Sequence, residues 1–184
     1  MKKGVRNINN IVIHCSAGFA NAESIQAYFL RPIDKGGRGW KTGGYHIIID
    51  TDGTVNQLYD YSRVTNGVLG YNSDTIHICY VGGVENIGTP SKPIWKVKDT
   101  RTDIQKVRIH EEVAKARLWL KNNGKDVDKS LGVVGHRDYS PDLNKNGIID
   151  PRERIKECPS FEVMPEFSEI YASKDRFMKL PTEK

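Results

Sequence analysis

Two imidazoles and one thiol carry the clearest chemistry in this chain: His14, His136 and Cys158. Each histidine closes a short apolar run rich in β-branched residues, Ile11-Val12-Ile13 before His14 and Leu131 to Gly135 before His136. That places both at the mouth of a sheet rather than in its middle. Two imidazoles and a thiolate form a ligand set suited to a catalytic zinc whose fourth position stays open to water. The chain has no His-Glu-x-x-His and no Cys-x-x-Cys pair, so the ligands would have to converge from three distant segments. Taken alone, a histidine at a strand end is more often a polar surface group, and a lone cysteine more often a buried apolar side chain.

Five segments in order carry more information than any one of them. They are Ile11 to Ala17, Gly43-Gly44-Tyr45-His46 running on to Asp50 with Asp52-Gly53-Thr54-Val55, Asn72 to Gly83, Gly135-His136-Arg137-Asp138, and Lys156-Glu157-Cys158-Pro159. Together they resemble the zinc-dependent N-acetylmuramoyl-L-alanine amidases of the amidase type 2 group, which also holds phage lysozyme-type amidases and peptidoglycan recognition proteins. The resemblance implies that His14, His136 and Cys158 bind zinc. It matches Tyr45 to a tyrosine near the scissile amide and Lys156 to a lysine that stabilises the transition state in phage-type members. The chemistry is consistent, because zinc activates water and polarises a carbonyl while a nearby cation and phenol stabilise the oxyanion. The implied activity is hydrolysis of the amide between N-acetylmuramic acid and L-alanine, with peptidoglycan or muropeptides as partner. A non-catalytic wall-binding module is the alternative, and the presence of Cys158, Tyr45 and Lys156 favours the enzyme.

The chain departs from the pattern in places. Cys15 stands where many relatives have a second histidine, and strand alternation turns it to the opposite face, away from the metal. In the middle motif many relatives carry glycine where this chain has His77, so His77 reads equally as a site-facing polar group or an ordinary strand residue, and the role of Tyr71 is open too. His46 and His110 read as structural, Cys15 and Cys79 as buried.

Between His136 and Cys158, the stretch Asp142 to Glu153 puts side-chain oxygens at Asp142, Asn144, Asn146, Asp150 and Glu153, the carbonyl of Ile148 at the seventh place and Gly147 at the sixth. This is the spacing of an EF-hand calcium loop. Pro151 and the cations Lys145, Arg152 and Arg154 dilute the match, and the competing reading is a surface loop whose side chains cap its own turns.

The elements that must position these groups follow from the pattern. Strands are expected over 11–15, 45–50, 55–59, 75–81 and 131–136, with Thr51-Asp52-Gly53-Thr54 turning a hairpin. Helices are expected over 22–30 and 104–120, the second capped by Thr102 or Asp103, and a short one near Pro165. Strands interleaved with helices make an α/β domain, a mixed sheet of about five strands flanked by helices with the zinc site at one edge. The 184 residues fit one domain, with a core over about 8–165 and a helix or tail over 166–184. Three cysteines argue for thiols and a metal ligand rather than a disulfide framework. A net charge of +5 favours anionic polymers, but no basic stripe with interleaved aromatics points to nucleic acid. No segment reads as a signal peptide or a membrane span, so synthesis is expected to end in the cytoplasm, with action on the cell wall or its fragments, as after a phage-type release. A monomer is expected.

Overall fold

Seven strands and four helices organise the computed structural model, which describes residues 6–170. The strands are β1 (Asn10–Cys15), β2 (Ile47–Ile49), β3 (Val55–Gln57), β4 (Thr75–Tyr80), β5 (Val84–Asn86), β6 (Trp95–Val97) and β7 (Gly132–Gly135). The helices are α1 (Ala22–Leu30), α2 (Asp103–Asn122), α3 (Val127–Ser130) and α4 (Val163–Glu166). The main sheet has the order β3-β2-β4-β1-β7, and β5 pairs with β6 in a separate hairpin. Strand β1 runs parallel to both β4 and β7, β4 runs parallel to β2, and only β3 is antiparallel.

Parallel strands covered on both faces are apolar throughout rather than alternating; β2 obeys this outright, and β1 and β4 largely do, their buried polar residues being His14, Thr75 and His77. One face carries Ile11, Ile13, Ile47, Ile49, Ile76, Ile78 and Tyr80, packed on Ile109, Val113, Ala116 and Leu120 of α2. Each large aliphatic side chain buried there contributes roughly 1.5–3 kcal/mol relative to exposure. The other face is divided. Ile48 and Cys79 pack under Ala22 of α1 in one cluster, Val12 and Val134 under Val68 in another. The face is interrupted by His14 and His77, both fully buried.

The long helix is anchored at its start. Thr102 and Gln105 form a reciprocal capping box, and the Gln105 amide donates to the carbonyls of Ile49 and Val81 at 3.2 and 2.9 Å. This ties α2 to the same end of the sheet at which β1 delivers His14.

The observed elements differ from expectation mainly at their ends. β2 begins two residues after the expected strand: His46 still bonds to both neighbours, its N–H to the His77 carbonyl at 2.9 Å and its carbonyl accepting from the Leu58 N–H at 2.8 Å, but the regular ladder starts only at Ile47. The β5–β6 hairpin was not expected: β6 is exposed along its length, so no buried face imprints a period-two pattern on it. The short helix near Pro165 is α4, and the expected tail beyond residue 170 lies outside the described residues.

Candidate metal centre

β1 ends at the C-terminal edge of the sheet, and there its last residues meet the turn that follows β7 and the loop that carries Cys158. His136 opens a short 3-10 turn over His136–Tyr139, directly after β7. The backbone then returns: the Arg137 N–H donates to the Cys158 carbonyl at 2.6 Å, and the Arg137 guanidinium donates to the Pro159 carbonyl and to Glu162, the latter at 2.8 Å. Gly135 makes this close return feasible, since a Cβ there would lie 2.8 Å from the Pro159 ring. The Tyr80 hydroxyl meets Ser160 at 2.5 Å and completes the clamp.

The three expected ligands come together. One ligand atom from each of His14, His136 and Cys158 lies within 4.8 Å of the others, the sole such group of three among the described residues. His14 Nδ1 is 3.7 Å from Cys158 Sγ. Nitrogen and sulfur bound tetrahedrally to one zinc at ~2.0 and ~2.3 Å would sit about 3.5 Å apart, so the spacing fits that ion. The donors are also in the right state. Burial lowers His14 far below the ordinary histidine range, and burial together with the Lys156 cation lowers His136 to about 4, so both are neutral near pH 7. The Cys158 thiol is pushed up by its hydrogen bond with Cys15 and by burial. A bound cation would reverse that preference by drawing the thiolate to itself.

Tyr45 and Lys156 both line the cleft over this group, which has a volume of about 800 Å³ and is also bordered by Arg38, Trp40 and Tyr71. The Tyr45 ring lies 4.9 Å from that of His14 and 5.4 Å from that of Phe29. Burial, followed by the charge and hydrogen bond of neighbouring thiols, raises the Tyr45 phenol, which stays protonated and able to donate. Lys156 is exposed at the rim. Its charge reaches inward, since it lowers both His136 and His14.

Other expectations are met or corrected. Cys15 is buried and points to the α2 face, as alternation requires, yet it is not remote from the centre. Its backbone N–H donates to Cys158 Sγ at 3.4 Å, and the hydrogen bond from Cys158 lowers the Cys15 thiol to about 7. The alternation rule missed this because Cys158 arrives over the strand end rather than from either face. Cys79 is fully buried. His46 is structural: its Nδ1 accepts from the His77 N–H at 2.9 Å and its Nε2 donates to the Arg63 carbonyl at 2.9 Å. His110 pairs with Glu166 at 3.2 Å and stacks on Phe167. His77, left open by sequence, faces His14, with Nδ1 and His14 Nε2 3.1 Å apart. Arg137 was quoted only as a motif residue, and its adjacency to His136 was the one signal of its clamping role.

The loop from Asp142 to Glu153 turns its oxygens on itself. Asp142 accepts from the backbone N–H groups of Asn146 and Gly147, Asn144 from that of Asn146, and Asn146 from that of Ile148. Glu153 accepts from those of Leu143, Asn144 and Asp150. The calcium reading of Asp142, Asn144, Asn146, Ile148, Asp150 and Glu153 draws no support from this arrangement, which is that of a loop capping its own turns.

No helix among the described residues is long and apolar enough to cross a membrane. Comparison with known proteins gives one family: the model of the N-acetylmuramoyl-L-alanine amidase family matches residues 4–159. An endolysin of Enterobacteria phage K11 is 41% identical over 78 residues, which are 42% of this chain and 50% of the endolysin. A Haemophilus influenzae protein is 32% identical over 112 residues, 61% of this chain and 84% of that protein. The chain thus spans about half the length of the phage endolysins it matches. Among solved structures, the N-acetylmuramoyl-L-alanine amidase LysC from Clostridium intestinale shares the fold with a TM-score of 0.54 at 23% identity, covering 90% of this chain and 83% of LysC. Drosophila PGRP-LB shares it with a TM-score of 0.56 at 17% identity, covering 89% and 81%.

Proposed function

Because this chain belongs to the N-acetylmuramoyl-L-alanine amidase family, we propose that it is a zinc-dependent peptidoglycan amidase cutting the bond between N-acetylmuramic acid and the L-alanine of the stem peptide. The observation that carries the reading is the convergence of a buried His14 with His136 and Cys158, the latter two lining an open cleft. Those three residues would hold the zinc. When bound, zinc lowers the pKa of water toward neutrality and polarises the scissile carbonyl.

The residues of the chain supply the rest. His14 and His136 are held neutral by burial and offer lone pairs rather than charge. The Arg137 clamp fixes the approach of Cys158, so that the third donor is set by the fold before any ion arrives. Lys156 at the rim brings a positive charge to the position where an oxyanion develops, and the protonated Tyr45 phenol is a second donor there. Trp40 and Phe29, stacked with ring centroids 5.0 Å apart, form an apolar wall on one side of the cleft.

The test is zinc content together with release of muropeptides from purified wall. About one zinc per chain with stem peptides released from the glycan is expected. A protein that binds wall and releases nothing would replace the enzyme with a recognition module.

A further inference from the structure

His77 is a fully buried histidine that the proposed mechanism does not use, and every polar atom of its ring is engaged. The network around it fixes the direction of each hydrogen bond. The Thr75 hydroxyl donates to the Tyr71 carbonyl at 2.7 Å, an acceptor with no proton to return. Thr75 Oγ1 therefore accepts from His77 Nε2, 2.9 Å away. In a neutral ring this leaves His77 Nδ1 as a lone pair, aimed at His14 Nε2 at 3.1 Å. His14 must then carry its proton on Nε2, and its Nδ1 lone pair faces Cys158.

We infer that His77 is a positioning residue that fixes the tautomer and ring orientation of His14, so that His14 Nδ1 is presented to a metal ion. The inference rests on the metal reading of the centre. A ligating histidine ordinarily donates its second ring N–H to a carboxylate, carbonyl or water. In this chain another imidazole takes that place, and its own tautomer is set by Thr75. The backbone supports the arrangement twice. Register places Val12 against His77 and His14 against Cys79, so His14 and His77 lie on the same face of adjacent strands. Gly67 leaves the room the ring needs, since a methyl at that position would overlap the His77 imidazole.

The experiment has a wild-type arm and a variant arm. In metal-free wild-type protein, nitrogen-15 imidazole spectra should show His14 as a single tautomer protonated on Nε2, and His77 likewise. His14 protonated on Nδ1, or a mixture of both forms, would overturn the inference without any variant. Zinc affinity by chelator competition should fall about tenfold to hundredfold in His77→Leu, the effect typical of losing such a partner. It should recover to within a few-fold of wild type in His77→Asn, whose side-chain oxygen can accept in place of Nδ1. Affinity within twofold of wild type in a folded His77→Leu protein would sink the idea. Should His77→Leu fail to fold, Thr75→Val serves instead: it removes the group that orients His77 and should loosen the His14 tautomer, and an unchanged tautomer and affinity would overturn the inference. Failure of the wild type itself to bind zinc would instead defeat the metal reading.

Discussion

Two donor-rich regions of the molecule, the loop from Asp142 to Glu153 and the centre at His14, His136 and Cys158, differ in what their donor atoms already touch. In the loop from Asp142 to Glu153 the carboxylates and amides accept from backbone N–H groups of the same loop. At the centre, His14, His136 and Cys158 come from three segments and turn their donor atoms on one another. The loop needs nothing further to be ordered. The centre places two lone pairs and a thiol in one small volume, an arrangement that a divalent cation stabilises. Ligand-like spacing in sequence therefore says less than the partner each atom finds in the fold.

The sharpest way to break that contrast is to remove one donor from the centre. Cys158→Ala should drop zinc from about one per chain to near zero and abolish muropeptide release, because a three-ligand site loses its strongest donor. Cys15→Ala, which removes a neighbour and no ligand, should keep both. Equal zinc in wild type and Cys158→Ala would end the assignment. Next in size is Lys156→Ala, expected to keep its zinc and lose on the order of a hundredfold to a thousandfold in kcat, the cost of one oxyanion-stabilising group. Metal content measured alongside turnover separates this from a binding defect.

Acid gives a smaller effect. His46 is fully buried with its pKa lowered to about 4, chiefly by burial. A group depressed in the folded state contributes stability above its unfolded pKa of ~6.5 that is lost as pH falls toward the folded value. His46 alone should cost roughly 2 kcal/mol between pH 7 and 5, with His14 and His77 acting in the same direction. Denaturant midpoints of metal-free protein should fall as pH drops from 7 to 5; a flat profile over that window would mean that the buried imidazoles take up protons in the fold as readily as in the unfolded chain. The smallest effect belongs to the loop. Millimolar calcium added to zinc-loaded protein should move Tm by less than about 1 °C, whereas binding confined to the folded state would raise it by several degrees. A shift of several degrees that Glu153→Gln removes would restore the calcium reading.

Much of this was legible in the sequence where the signal is local. The run before His14, the hairpin turn at Asp52-Gly53 and a cap at Thr102 or Asp103 each declare themselves within a few residues, and the structure has the strand, the hairpin and the cap at Thr102, while the reciprocal bond from Gln105 was not expected. The ligand triad was legible only through resemblance, since nothing in the spacing of 14, 136 and 158 encodes convergence. The partner of His77 was not legible at all. It depends on the register between β1 and β4, strands more than sixty residues apart, and on a hydroxyl whose proton is committed elsewhere. The contact of Cys15 with Cys158 was hidden for a related reason: alternation describes the faces of a strand and is silent about what crosses its end.

The fit between Gly67 and the His77 ring also constrains how such a chain can change. The two positions share one volume, so their substitutions are not independent. Enlarging residue 67 first drives a side chain into the ring, whereas shrinking residue 77 first leaves a void that a later side chain at 67 can fill. Exchange between the two arrangements is thus ordered in time, with the ring surrendered before the glycine, and a variant library that mutates 67 alone samples only the blocked direction.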